Sequence, residues 1–245
     1  DVLPTIQEWY GYEGSFTLTN DSKIIVNDRA DEGLFEAARE MQADIEEICG
    51  RTLAIETGTS GSAGNIYLES LAKDTYGTGE EGYFLVNGEN GIEIYSTTKT
   101  GVLYGTVTVE QILYQDASHT SVPKGVIRDY PLYGTRGIMF DVARIPTRIQ
   151  FLQDYSKILK WYKLNTMQIH LNDNQWSDPA YSPDPELWKE VEASHRLESE
   201  LFPSLAKQNS KFLKTGDNEG RYDYYYSTHT GMENGGELYY SKEEY

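Results

Sequence analysis

An apolar stripe with helical spacing is the strongest pattern in the chain. Five apolar residues follow one another at intervals of 4, 3, 4 and 3: Leu34, Ala38, Met41, Ile45 and Ile48. These intervals place all five side chains on one face of a helix. Asp31 precedes the stripe, where an aspartate caps a first turn, and Gly50 follows it, where glycine ends a helix. We therefore predict a helix between Asp31 and Gly50.

Short segments of β-forming residues surround this helix. We predict strands at residues 15–19, 23–26, 53–56, 65–68, 83–86 and 92–95, with glycine-rich turns between the later ones. Residues 100–114 are ambiguous, because Val102, Thr106 and Val109 prefer strands yet keep helical spacing. We interpret this segment as a helix. The first 125 or so residues thus predict a sheet with helices packed on it.

The pattern changes near residues 126–133. Residues 137–141 form an apolar run that ends in Asp141, residues 149–162 have helical spacing, and residues 166–171 form a second apolar run. Strand, helix and strand within this length predict a βαβ unit with a parallel pair, and we expect no such unit earlier in the chain. We place the domains at residues 1–130 and 131–245. Residues 172–240 are polar, which is typical of a functional loop or of disorder, and Ser241 with Glu244 predicts a helix start.

Charge and composition exclude several classes of partner. The chain carries 39 acidic and 21 basic residues and a formal net charge of -18, which argues against nucleic acid and against anionic membranes. Its single cysteine, Cys49, forms no intrachain disulfide, and we expect it to be a buried small apolar residue. No apolar run is long enough to insert in a membrane. No His, Cys and Asp cluster has the spacing of a metal site, so we expect no metal and no cofactor.

Two segments carry a family resemblance. They are RGIMFDVAR (residues 136–144) and WYKLNTMQIHLNDNQ (residues 161–175). They resemble the first two barrel strands of glycoside hydrolase family 20, the β-N-acetylhexosaminidases and lacto-N-biosidases. In that family, an Arg-Gly strand closes in Asp-x-x-Arg, and Lys-x-Asn and His-Leu-x-Asp follow after a helix. Shorter pieces of the first half, such as NIYL (residues 65–68) and IRDYP (residues 127–131), resemble the domain before the barrel.

The resemblance implies the fold class. We expect an α/β protein with an N-terminal sheet-plus-helices domain, followed by the first strands of a truncated (β/α)₈ TIM barrel. In such barrels the chemistry lies at the carboxyl ends of the strands. Asp141 and Arg144 stand at the end of the first strand, and His170 and Asp173 at the end of the second.

The resemblance also implies roles for these residues. Arg144 would hydrogen-bond hydroxyls of the terminal sugar, a task suited to the guanidinium fork, and Asp173 would support the catalytic groups. Other interpretations remain open. Arg144 could instead pair with Asp141, Asp173 could cap the loop, and His170 could be a hydrogen-bonded structural residue in the barrel wall.

The chain departs from the family pattern just after the second strand. Many hexosaminidases have Asp-Asp-Gln-Gly-Trp there, whereas this chain has Asp173-Asn174-Gln175-Trp176, and Ile145 stands where histidine is common. We include Gln175 and Trp176 as candidate substrate-binding residues. Trp176 would stack on a sugar face or, alternatively, pack under the loop. These departures affect the substrate more than the family.

The family reaction needs residues that we do not find here. Its members retain configuration: the substrate's acetamido oxygen attacks the anomeric carbon, a Glu protonates the leaving oxygen, and the preceding Asp orients the acetamido group. This pair belongs on the fourth strand of a barrel that takes about 250 residues. We therefore expect it beyond Tyr245 and predict that this chain alone is inactive. The one Asp-Glu dipeptide, Asp31-Glu32, belongs to the predicted helix start.

The resemblance indicates partners and a location as well. We expect a glycan with a terminal N-acetylhexosamine as substrate, the missing C-terminal part of the same enzyme as partner, and an extracellular or cell-wall-attached position in a bacterium. An alternative is a non-catalytic carbohydrate-binding or adhesion module, which a loop rich in tyrosine would suit. A third interpretation is a purely structural first domain.

Overall fold

The computed structural model of the protein describes residues 1–142, 149–171, 196–197, 200–201 and 239–240. The chain divides into two compact units. Unit 1 is Asp1–Gly134 with Lys160–Lys163, and unit 2 is Thr135–Leu159 with Leu164–Tyr245. These units are groups of residues that contact one another in space, and they do not test a domain boundary in the sequence. The boundary between residues 130 and 131 therefore stays a prediction.

A seven-stranded mixed sheet forms the centre of unit 1. Its strands are β1 (Glu8–Thr17), β2 (Lys23–Asn27), β3 (Ala54–Gly58), β4 (Ile66–Ser70), β5 (Tyr83–Gly88), β6 (Gly91–Ser96) and β7 (Ser121–Asp129). Their spatial order is β1-β7-β5-β6-β4-β2-β3. The β3-β2-β4-β6 half is parallel, and the β6-β5-β7-β1 half is antiparallel.

Two helices, α1 (Glu32–Cys49) and α2 (Lys99–Gln115), contribute to the core over this sheet. Alternate strand residues are fully buried in that core, among them Ile24, Val26, Ile66, Leu68, Ile92 and Ile94. The predicted α1 is confirmed together with both of its ends. The Asp31 side chain accepts a hydrogen bond from the Leu34 N–H, and Gly50 ends the helix with a left-handed φ of 65°.

The ambiguous segment is a helix, as predicted, and the structure explains the ambiguity. α2 is buried nearly all round, with apolar Val102, Val109 and Leu113 inside the core. Its polar residues are buried too, and these are Thr106, Thr108, Glu110 and Gln111. A helix covered on several sides shows no single apolar stripe, so its pattern does not separate it from a strand.

The structure of unit 1 departs from the predictions in several places. β1 begins at Glu8 rather than near residue 15, β7 was not predicted, and a parallel βαβ unit, β2-α1-β3, does occur early in the chain. β1 and β3 are the two edges of the sheet. The residues of β1 are nearly all exposed, so this strand has no apolar run that would signal burial, whereas β3 corresponds to the strand predicted at residues 53–56. Cys49 is half-buried beside the core rather than fully buried.

Unit 2 contains the predicted βαβ unit, which is confirmed. β8 (Gly137–Asp141) and β9 (Thr166–His170) form a parallel pair, and α3 (Ile149–Trp161) lies between them in the chain. Phe140, Ile169 and Leu152 contribute to its apolar cluster. Two-residue strands, β10 (Arg196–Leu197) and β11 (Tyr239–Tyr240), also pair in parallel. The helix predicted from Ser241 lies outside the described residues. Among the helices described, none is long and apolar enough to cross a bilayer.

Candidate carbohydrate site at the end of a parallel strand pair

Two candidate residues meet where β8 and β9 end. Asp141 and His170 are direct partners in the parallel register. Side chains alternate along a strand, so Asp141 and His170 share a face with Met139 and Gln168. The other face carries Phe140 and Ile169, which belong to the apolar cluster with α3. A carboxylate and an imidazole therefore lie side by side on the face away from the helix, at the carboxyl end of the pair.

The opposite end of the pair fixes this register. The Arg136 carbonyl accepts hydrogen bonds from the N–H groups of Asn165 (2.8 Å) and Thr166 (3.1 Å). The Asn165 side chain accepts one from the Arg136 N–H at 2.9 Å. A side chain at Gly137 would overlap the Thr166 carbonyl oxygen. The Arg-Gly and Lys-x-Asn motifs thus lock the two strands together, which brings Asp141 opposite His170.

Four other candidates lie outside the described residues. They are Arg144, Asp173, Gln175 and Trp176. Arg144 comes three positions after Asp141, and Asp173 three after His170 (144 − 141 and 173 − 170). Their roles stay predictions, as do those of Asp141 and His170. Within the residues that the structure covers, no group of three His, Cys, Asp or Glu could hold a metal.

The lysine of the Lys-x-Asn motif has a structural task that the sequence did not reveal. Lys163 stands just after α3 with a left-handed φ of 54°. The Lys163 N–H donates a hydrogen bond to the Lys160 carbonyl, and the Leu164 N–H donates one to the Leu159 carbonyl. This pair of hydrogen bonds is typical of a Schellman motif at the end of a helix. Glycine is the usual residue at that position because it has no Cβ. A lysine at this position indicates that its side chain makes contacts that glycine could not make.

That side chain reaches a buried polar network in unit 1. The Lys163 ammonium donates to the Asp129 carboxylate (3.0 Å), the Tyr83 hydroxyl (3.0 Å) and the Thr108 hydroxyl (2.8 Å). The Tyr83 hydroxyl also donates to Asp129 at 2.8 Å. Burial lowers the pKa of Lys163, against the opposing effect of Asp129, and burial followed by Asp129 raises the pKa of Tyr83. Asp129 belongs to the IRDYP segment and Lys163 to the Lys-x-Asn motif, but no feature of the sequence indicates that these two residues contact each other.

The Asp31-Glu32 dipeptide is confirmed as a helix start. Asp31 is the cap of α1, and Glu32 forms an exposed ion pair with Arg39. The Asp31 carboxylate is therefore occupied by the Leu34 N–H at 3.1 Å. This dipeptide therefore has a structural role at the start of α1 and does not correspond to the catalytic Asp-Glu pair of the family.

Family sequence models match both parts of the chain. The model of glycosyl hydrolase family 20, domain 2, matches residues 1–130. The model of the catalytic domain of the same family matches residues 133–245. Together they account for nearly the whole chain.

Relatives with similar sequences are named as hexosaminidases and lacto-N-biosidases. A β-N-acetylhexosaminidase from Cellulomonas fimi is 32% identical over 162 residues, covering 65% of this chain and 32% of the relative. A lacto-N-biosidase from Bifidobacterium bifidum is 23% identical over 237 residues, covering 91% of this chain and 21% of the relative. The chain thus spans about a fifth to a third of the length of such relatives.

Solved structures show the same fold. Streptomyces plicatus N-acetyl-β-hexosaminidase, bound to thio-NAglucal, superposes with a TM-score of 0.67 at 23% identity, covering 99% of this chain and 41% of that one. The β-N-acetylhexosaminidase of Bacteroides fragilis gives a TM-score of 0.68 at 16% identity, covering 99% and 40%. The predicted fold class, an α/β domain followed by the start of a barrel, is confirmed.

Proposed function

Because this chain belongs to glycosyl hydrolase family 20, we propose that it is part of a retaining glycoside hydrolase that removes terminal N-acetylhexosamine or lacto-N-biose from glycans. The observation that carries the proposal is the register of Asp141 and His170. Two polar groups meet on the helix-free face at the carboxyl ends of two parallel strands, which is where barrel enzymes bind their substrates. The printed names of the relatives support the substrate class.

In this proposal, the segments after β8 and β9 hold the terminal sugar. Arg144 donates to sugar hydroxyls, and Asp173 supports the catalytic groups. Asp141 and His170 lie at the base of the same pocket, and Gln175 and Trp176 contribute further polar and stacking contacts. A hexosaminidase and a lacto-N-biosidase differ in whether this pocket accepts a single N-acetylhexosamine or a disaccharide, and the departure from the family pattern at Gln175 and Trp176 leaves both activities in the proposal.

The reaction is substrate-assisted. The acetamido oxygen forms a bond to the anomeric carbon as the glycosidic bond breaks, and a Glu gives its proton to the leaving oxygen. Water then opens the oxazolinium ring, and the same Glu accepts the proton from that water. The Asp-Glu pair for these steps lies outside this sequence, because its one such dipeptide, Asp31-Glu32, caps α1.

Assays of two proteins test the proposal. The natural polypeptide that contains this sequence should hydrolyse an aryl N-acetyl-β-glucosaminide or an aryl lacto-N-bioside, and the 245-residue chain should hydrolyse neither. An aryl β-glucoside, which has a hydroxyl in place of the acetamido group, is the matched substrate control and should remain intact. Hydrolysis of neither acetamido substrate would count against the proposal. Binding of the sugars without hydrolysis would support the alternative, a binding module.

An arginine variant tests the sugar contact. In the natural polypeptide, Arg144→Ala should lower kcat/KM about 10- to 150-fold, because hydrogen bonds to a charged group contribute about 1.5–3 kcal/mol. Arg39→Ala removes an exposed arginine of α1 and is the control, with kcat/KM expected to stay unchanged. Equal effects of the two substitutions would remove Arg144 from the site.

We also propose an extracellular or cell-wall-attached location in a bacterium. The acidic composition and the bacterial sources of several relatives support it. Fractionation of source cells with an antibody against this chain tests the location. Recovery only from the cytosol would contradict it.

A further inference from the structure

A glutamate in the middle of α2 is sealed inside unit 1. Glu110 has no exposed surface. Among the residues that the structure describes, neither of its carboxyl oxygens has a hydrogen-bond partner. An ionised carboxylate in such a place loses its hydration without compensation, whereas the neutral acid loses much less. The location therefore favours the protonated form of Glu110.

The acidic groups near Glu110 act in the same direction, and the lysine near them acts against it. On α1, Asp44 and Glu40 both form ion pairs with Lys160, whose ammonium is 2.5 Å from the Asp44 carboxylate and 3.1 Å from that of Glu40. The charge of Lys160 is thus already matched by two negative ones, and an ionised Glu110 would add a third negative charge. Like charges at short range oppose that ionisation.

Two further groups of unit 1 complete the surroundings. At the end of α1, burial raises the pKa of the Cys49 thiol and Arg51 lowers it, and an ionised Glu110 would raise it further. The Arg51 guanidinium donates to the Cys49 carbonyl at 3.0 Å. For Glu110 itself, burial is the largest cause that raises its pKa well above the ordinary range. Asp44 adds to this rise, and Lys160 and the Thr106 hydroxyl oppose it.

We propose that Glu110 is a proton-operated switch within unit 1. As the neutral acid it lets α1, α2 and the segment Lys160–Lys163 close on one another. When it loses its proton, the uncompensated charge pushes them apart. The switch makes unit 1 tighter in mildly acidic surroundings than at neutral or alkaline pH. It does not depend on the proposed glycosidase activity.

The direction of the pH effect follows from proton linkage. The folded chain holds a proton on Glu110 over the range from the unfolded value of 4.5 up to its raised folded value. The stability from this proton is fully present below 4.5 and is lost as pH rises through the folded value. Over that range, one linked proton raises the unfolding constant by up to about tenfold per pH unit. Asp116, whose pKa is lowered to about 2, acts below this window.

Urea unfolding of the full chain between pH 5 and pH 8 tests the switch. The unfolding constant of the wild type should rise with pH, and Glu110→Gln should remove up to tenfold per pH unit of that rise. Glu47→Gln makes the same chemical change at an exposed position of α1 and should leave the pH dependence unaltered. A Glu110→Gln profile parallel to that of the wild type would overturn the proposal.

Two measurements on the wild type keep the test decisive if the variant does not fold. The infrared spectrum of the folded chain at pH 6 to 7 should contain a protonated carboxyl band that disappears on unfolding. Hydrogen exchange at the Lys163 amide, which donates to the Lys160 carbonyl at 2.9 Å, should show protection that falls with rising pH. Absence of the carboxyl band, or protection independent of pH, would refute the switch.

Discussion

At the scale of single residues, Lys163 shows how a side chain can override a backbone preference. Its left-handed φ of 54° disfavours any residue with a Cβ. Three hydrogen bonds from its ammonium, to Asp129, Tyr83 and Thr108, offset that cost. The side chains of the Lys163–Asp129 ion pair are only 7% and 10% exposed, so solvent screens it little.

Lys163→Met should therefore destabilise the chain by about 3–5 kcal/mol, because it leaves the Asp129 carboxylate buried without its counter-charge. The double variant Lys163→Met/Asp129→Asn should be more stable than the single one, since the orphaned charge is gone. The free energy of unfolding in urea measures both.

The control for this prediction is an exposed ion pair. Lys99 and Glu36 are joined at 3.0 Å, with side chains 61% and 52% exposed. Lys99→Met should change stability by less than about 1 kcal/mol. A Lys163→Met variant as stable as Lys99→Met would show that the buried pair contributes nothing.

Local signals at this scale were predictable, and distant pairings were not. Asp31 and Gly50 act on backbone groups within four residues, so the sequence alone placed both ends of α1. Lys163 and Asp129 are 34 positions apart and meet only through the fold. A motif shows that a lysine is needed there but does not name its partner.

At the scale of elements, burial on one side made α1 predictable, and burial on nearly all sides made α2 ambiguous. The edge strand β1 was only partly predicted, for the opposite reason. β1 has exposed residues at nearly every position and a bulge between Gly11 and Ser15. A strand without alternation gives no period to detect. The parallel pair β8–β9 was predictable because each strand is a short apolar run with a helix between.

Glycines of the two helices should respond in opposite ways to alanine. A methyl group at Gly101 of α2 would overlap the Ser96 hydroxyl and the backbone carbonyl of Gly82, neither of which can easily move. Gly101→Ala should therefore destabilise the chain by about 1–3 kcal/mol, although alanine is the better helix former.

Gly33 of α1 is the matched control. A methyl group there would meet only the flexible end of the Lys99 side chain at 2.7 Å and the Asp31 carboxylate at 3.3 Å. Gly33→Ala should be neutral or stabilising by up to about 1 kcal/mol. Thermal unfolding followed by circular dichroism compares the two. A Gly101→Ala variant that melts as high as Gly33→Ala would mean that α2 can shift away from the sheet.

At the scale of the whole molecule, the family resemblance rested on the order of short motifs, and the structure gives those motifs physical roles. Arg136, Gly137 and Asn165 set the strand register, and Lys163 and Asp129 form a buried ion pair. The sequence predicted the parallel strand pair, with Asp141 and His170 at the strand ends, and the structure adds that these two residues are direct partners in the register. The sugar contacts proposed for Arg144 and Asp173 stay predictions, because both residues lie outside the described part of the chain.

The net charge of the whole chain makes its stability depend on the salt concentration of the solution. A formal charge of -18 makes the compact state repel itself. Ion pairs such as Lys23–Glu56, with side chains 41% and 50% exposed, offset this only weakly. Adding NaCl shortens the screening length from about 30 Å at 0.01 M to about 8 Å at 0.15 M. Salt should thus weaken the repulsion more than it weakens the pairs.

We accordingly expect the urea midpoint at pH 7 to rise when NaCl is raised from about 0.01 M to about 0.15 M. The same titration near pH 4.6, the isoelectric point, is the control, because the net charge is close to zero there and the salt effect should largely vanish. If the midpoint falls with salt at pH 7, attractive ion pairs outweigh the repulsion, and the acidic surface stabilises the fold.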